Sequence, residues 1–139
     1  MPYHKEQELL LPVAKYAKRR GYTLQAFEVP FYDYRIDLYG FSTKASETVA
    51  VELKLRKWKR ALEQALIYQL CSDFVYIALP SDAAARIDEG LVRKSGIGLI
   101  AVGERGCRTL VEAKQSTEVR EHYRGPYIDM LSGGGNGRG

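Results

Sequence analysis

Residues 34–70 read YRIDLYGFSTKASETVAVELKLRKWKRALEQALIYQL, and this stretch decides the fold. Residues 34–41 alternate in polarity and are rich in aromatic and β-branched side chains, which predicts a strand. Residues 48–53 (TVAVEL) predict a second, and the polar stretch 42–47 between them predicts a hairpin turn. Residues 57–70 then place Ala61, Leu62, Ala65, Leu66 and Leu70 at helical spacing. The run FVYIAL at 74–79 is continuously apolar, as in a strand covered on both faces. A strand, a helix and a buried strand in that order predict a parallel crossover beside an antiparallel meander.

Working outward, residues 6–20 read as a helix stopped by Gly21, with Pro12 marking either a kink or a late start. Residues 23–29 read as a strand. Beyond the central stretch, Pro80-Ser81-Asp82 opens a helix running to about residue 94. Residues 96–102 and 108–111 predict a strand pair turning at 104–106, and 112–123 a last helix. The expected fold class is α/β, a small mixed β-sheet flanked by helices. Its 139 residues predict one domain, over residues 1–131. The segment 132–139, with five of the 13 glycines, is expected to be a flexible tail.

Composition removes several classes. There is no apolar run of transmembrane length and no secretory signal, so a cytoplasmic location without membrane contact is expected. Cys71 and Cys107 are isolated and predict buried, inert thiols rather than a zinc or disulfide scaffold. His4 and His122 are too few for a histidine metal site or a Ser-His-Asp triad. No P-loop is present, so a nucleotide cofactor is not expected.

One cluster carries chemistry. Asp37 lies in the second predicted strand, and Glu52 and Lys54 close the third. Residues 52 and 54 project from one strand face, with Ala50, opposite Val49, Val51, Leu53 and Leu55. A hairpin brings Asp37 to them. Carboxylates beside a sheet core are costly unless paired or metal-bound, and two of them suit Mg²⁺, which takes oxygen ligands and keeps several waters. A lysine beside such a pair offsets growing negative charge. The triplet alone is a weak signal, because Glu112-Ala113-Lys114 repeats it without the partners. Around Glu52, however, the following helix presents Gln64 and Tyr68 four residues apart on one face, and the first helix offers Glu8.

The order Glu8, Asp37, Glu52-Leu53-Lys54, Gln64-Ala65-Leu66-Ile67-Tyr68 resembles the PD-(D/E)XK nuclease superfamily, the restriction-endonuclease-like fold, over about residues 4–80. That resemblance implies Mg²⁺-dependent hydrolysis of phosphodiester bonds in DNA, with Mn²⁺ able to substitute. It makes Asp37, Glu52 and the Leu53 backbone carbonyl metal ligands, with Glu8 supporting the metal through water. It gives Lys54 the attacking water. Gln64 and Tyr68 resemble the Q-x-x-x-Y signature of exonuclease-type members. Ile36 stands where the motif has Pro. Junction-resolvase-type members act as symmetric dimers on branched DNA, which brings a homodimer and structure-specific cutting among the expectations. The alternative is a catalytically inactive nuclease-like module that binds DNA or a protein partner; action on RNA is a third reading.

Charge distribution agrees with a nucleic-acid partner. The formal net charge is only +4, but residues 1–20 carry +3, residues 21–54 carry −2 and residues 55–70 carry +3. An acidic segment between two basic ones suits a phosphate-backbone binder. Arg56, Lys57, Lys59 and Arg60, with Lys18, Arg19 and Arg20, are the expected DNA contacts. Most of the ten tyrosines are expected in strands and core, with Tyr32 and Tyr34 available to stack on unpaired bases; Trp58 is expected in the core.

Overall fold

The computed structural model describes residues 3–133. A 3₁₀ turn, Glu6–Leu9, leads into α1, Leu10–Arg19. Then come β1 (Leu24–Phe31), β2 (Tyr34–Ser42), β3 (Glu47–Leu53), α2 (Trp58–Tyr68) and β4 (Phe74–Pro80). The chain ends with α3 (Ser81–Ala84), α4 (Glu89–Ser95), β5 (Gly98–Gly103), β6 (Gly106–Val111) and α5 (Glu121–Ser132). The six strands form one sheet in sequence order. Pairs β1–β2, β2–β3 and β5–β6 are antiparallel, whereas β3–β4 and β4–β5 are parallel. The expected mixed sheet flanked by helices is the one observed. It rests on a meander, two helical crossovers and a closing hairpin.

Alternation along the strands divides the core between the two sheet faces. Leu38, Val49, Val51, Leu53, Ala78 and Ile100 pack against Leu9, Val13 and Ala14 of the first helical segment. Ala50, Val75, Ile77, Leu79 and Leu99 pack against Ala61, Leu62, Ala65 and Tyr68 of α2 and against Ala84, Ile87 and Val92 farther along. Covering both faces explains why β4 reads as an unbroken apolar run. Trp58 is half-buried against this second core, as its sequence context suggests. Cys71 and Cys107 are free thiols, buried and half-buried, and burial raises them to about 12 and about 11. Among the described residues no helix is long and apolar enough to cross a membrane.

Three helix boundaries depart from expectation. The first helix is α-helical only from Leu10, which puts Pro12 in the first turn, where its missing N–H breaks no helical bond. The single helix expected to run to about residue 94 is two. Asp88 interrupts it by capping α4, its Oδ1 accepting the Leu91 N–H at 3.2 Å. The last helix is not 112–123 but Glu121–Ser132, and it contains Pro126. Tertiary contacts place it. Arg124 Nε donates to Asp73 Oδ2 at 3.0 Å, Arg124 Nη2 donates to the Ser46 carbonyl at 2.9 Å, and the Tyr127 hydroxyl donates to the Pro30 carbonyl at 2.6 Å. The Tyr123 ring meets Phe31 edge-on. Ser132 therefore belongs to α5 and Gly133 ends it at φ 70°; the rest of the expected tail, 134–139, lies outside the described residues.

Asp73 also accepts the Thr48 N–H and hydroxyl at 2.9 and 3.0 Å, so one buried carboxylate ties β3, β4 and α5 together. Arg124→Met should leave that carboxylate without its cation and cost about 3 kcal/mol of stability, read as a lower urea midpoint with an unchanged slope.

Candidate active site

The β2–β3 ladder is in register from Ser42↔Glu47 to Leu38↔Val51. At the next step the side chain of Asp37 takes over from the backbone: its Oδ2 accepts the Leu53 N–H at 2.7 Å. The strand twists at the same point. Ile36 joins the α2-side core and Leu38 the α1-side core, although residues two apart normally share a face. Opposite the bend, Glu28 takes φ 53°. The twist turns the Asp37 carboxylate toward the end of β3.

Glu52 faces α2 and is 4% exposed. Its Oε1 accepts the Tyr68 hydroxyl at 2.8 Å, and its Oε2 lies 3.6 Å from Lys54 Nζ. The Tyr68 hydroxyl also lies 3.2 Å from the Arg35 carbonyl. Burial first, and then the charge of Asp37, push the Glu52 carboxyl up to about 7. Asp37 is raised as well, by burial above all, against the lowering effect of the Leu53 N–H. Burial, and then the charge of Glu52, likewise raise the Tyr68 hydroxyl. Both carboxylates thus sit where their charged forms are poorly stabilised.

The structure brings Asp37, Glu52, Lys54 and Tyr68 together as the sequence suggests, and Gln64 lies one turn before Tyr68 on α2. The Gln64 Oε1 is buried and has no hydrogen-bond partner among the described residues. Leu53, whose carbonyl the resemblance makes a ligand, is held in place by Asp37.

Glu8 is a correction. Its carboxylate turns back to cap the 3₁₀ turn, accepting the His4 and Lys5 N–H groups at 2.7 and 3.1 Å, and these bonds hold it below its ordinary carboxylate range. Glu6 is the acid of this segment that bears on the site, since its charge raises both Asp37 and Glu52.

Beside the carboxylates runs an open groove of about 530 Å³ lined by His4, Glu6, Lys54, Arg56, Lys57 and Arg60. Three of the four basic residues expected after Lys54 are in it. The fourth, Lys59, lies over the Trp58 ring, 5.7 Å from its centroid. The basic end of α1 does not reach this groove. Arg20 donates to Glu112 at 3.0 Å and to Thr109 at 2.7 Å, fastening α1 to β6, so its expected DNA contact is replaced by a structural one. Lys18 and Arg19 are exposed on that same end. Glu112, the acid of the second Glu-x-Lys triplet, is taken up by Arg20 and by the Tyr76 hydroxyl at 2.9 Å.

Among the described residues no group of three or more His, Cys, Asp and Glu side chains is placed to hold a metal. The donor set at Asp37 and Glu52 is of another kind, two carboxylates both raised by burial, with the Gln64 amide oxygen one turn before Tyr68 on the neighbouring helix. It fits Mg²⁺, which is commonly held by one or two carboxylates and otherwise by water and substrate phosphate.

A solved structure shares the fold. It is the SPO1766 protein of unknown function from Silicibacter pomeroyi, with a TM-score of 0.72 and 18% sequence identity, matched over 99% of this chain and 90% of that one. At that identity the likeness speaks for the fold alone. No protein-family model and no curated protein matches the sequence.

Proposed function

We propose that the protein is a Mg²⁺-dependent DNA nuclease of the PD-(D/E)XK type. The observation that carries this reading is the pair Asp37 and Glu52, both raised by burial, with the Lys54 ammonium 3.6 Å from Glu52. Two crowded carboxylates with one cation beside Glu52 and a basic groove are poorly explained as a structural ion pair, because a single lysine leaves one carboxylate without a counterion. They are well suited to a divalent ion and a phosphodiester.

Asp37, Glu52 and the Leu53 carbonyl would hold the metal, with the Gln64 oxygen available to it or to its water. When bound, the ion polarises the scissile phosphate and favours a water nucleophile at neutral pH. Tyr68 fixes the Glu52 rotamer through its hydroxyl. Lys54 Nζ orients the attacking water and offsets the charge that grows on the phosphoryl oxygens. Arg56, Lys57 and Arg60 bind neighbouring phosphates along the groove.

The direct test is incubation with Mg²⁺ or Mn²⁺ and labelled linear, single-stranded, flapped and four-way DNA, with Asp37→Ala as control. Metal-dependent product from the wild-type chain alone supports the reading. Equal product from both removes it. DNA binding with no product under any condition favours the inactive module. Lys54→Met should lower turnover by about 10²-fold while DNA affinity, read by fluorescence anisotropy, stays within a few-fold. Equal losses in both would mean that Lys54 only binds.

A further inference from the structure

A second basic groove lies across the sheet from the site. Arg19 at the end of α1, Arg105 in the β5–β6 turn and Arg108 on β6 line an open groove of about 550 Å³, with one carboxylate, Glu104, among its lining residues. Of the other described arginines, Arg20, Arg35, Arg93 and Arg124 pair with Glu112, Glu28, Glu89 and Asp73, while Arg56, Arg60, Arg86 and Arg120 form no ion pair among the described residues. Among the described residues Arg19, Arg105 and Arg108 form no ion pair. Three uncompensated guanidiniums from separate segments repel one another, and a polyanion relieves that repulsion.

Strand register relates this groove to the site. The row one step beyond Leu53↔Ala78↔Ile100 passes through Lys54, Leu79 and Ala101 to Arg108. Lys54 and Arg108 therefore close the same row, three inter-strand steps apart, roughly 14 Å. Between them, over the carboxyl ends of β4 and β5, lies a further groove of about 360 Å³ lined by Tyr3, Ser81, Asp82, Gly103 and Glu104. It shares Ser81, Gly103 and Glu104 with the arginine groove, so the two are continuous. Ligands of open α/β sheets commonly bind along this edge.

We propose that DNA leaving the Asp37–Glu52 site crosses the carboxyl ends of β4 and β5 and is gripped through its phosphates by Arg19, Arg105 and Arg108. The inference rests on the nuclease reading. The basic residues at 56–60 hold the backbone on one side of the site and the three arginines hold it on the other, while the middle of the track, with Asp82 and Glu104, offers the phosphates no grip. At 3.4 Å per nucleotide, 14 Å corresponds to about four nucleotides, so the second grip acts only on substrates that extend that far. Its alignment with the row of Lys54 favours a continuous polyanion over an acidic protein.

The test compares the wild-type chain with the triple variant Arg19→Gln, Arg105→Gln, Arg108→Gln, using fluorescence anisotropy on a labelled duplex of about twenty base pairs. Among the described residues Arg105 and Arg108 form no ion pair and Arg19 only stacks on Tyr16, 5.9 Å from its ring centroid, so the variant should melt close to the wild-type temperature. Its salt slope should be shallower by about 2.7, so that from ~50 to ~200 mM salt the wild type loses roughly 40-fold more affinity than the variant. Wild-type cleavage with an unchanged slope in the variant overturns the inference and leaves the nuclease reading standing. Loss of polyglutamate binding with an unchanged DNA slope also overturns it, in favour of an acidic protein partner. No DNA binding by the wild-type chain overturns both.

Discussion

Asp37→Asn is expected to abolish phosphodiester hydrolysis, lowering turnover by at least ~10³-fold, with the fold intact. The two halves of this result have separate causes. The asparagine carbonyl still accepts the Leu53 N–H, which Asp37 Oδ2 accepts at 2.7 Å, so the β2–β3 junction keeps its geometry. What disappears is one of two adjacent negative charges. That loss removes a metal ligand and relieves the repulsion that raises Glu52. A melting temperature equal to or above that of the wild type, together with no Mg²⁺-dependent product from any DNA in the panel, is the expected combination. Full activity in a folded Asp37→Asn chain would disprove the assignment. An inactive but unfolded chain would instead show that the carboxylate serves structure.

The second large effect is a dependence of stability on pH that Mg²⁺ reverses. The folded Glu52 carboxyl stands at about 7 against an ordinary value of 4.5. Between those values the folded chain holds a proton that the unfolded chain has released, so stability falls as pH rises through that window. The loss reaches roughly 3 kcal/mol above it, and Asp37, raised for the same reason, acts in the same direction. In EDTA, urea midpoints should therefore decline from pH 5 to pH 8. A divalent ion takes the place of the proton. At pH 8, Mg²⁺ at ~100 times its dissociation constant should restore about 3 kcal/mol, whereas at pH 5 protons compete and the gain should be small. Glu52→Gln, which keeps an acceptor for the Tyr68 hydroxyl, should flatten the pH profile and remove the Mg²⁺ effect. A midpoint at pH 8 that ignores Mg²⁺ would argue against a metal centre, independently of any activity measurement.

The central elements were legible because their signals are local. Alternation over β2 and β3, the amphipathic period of α2 and the unbroken apolar run of β4 each follow from which faces are covered. Asp37, Glu52 and Lys54 were legible because a hairpin and a period of two suffice to bring them to one sheet edge. α5 was not legible. Gly125 and Pro126 are poor helix formers, and the contacts that hold the helix reach back to residues 30, 31, 46 and 73. Arg105 and Arg108 were missed for a related reason. Neither stands in a basic run, and only the closing hairpin brings them to Arg19.

The sequence by itself determined the class and order of the central elements, the carboxylate pair with its lysine, and the basic stretch that follows it. These depend on the chemistry of each side chain and on its phase within one element. Only the tertiary structure decided which glutamate of the first segment bears on the site, that Arg20 braces β6, and that three scattered arginines share a groove. Those outcomes depend on helix pitch, strand twist and cross-sheet register, which are set by the packing of both sheet faces together, and no single segment encodes them.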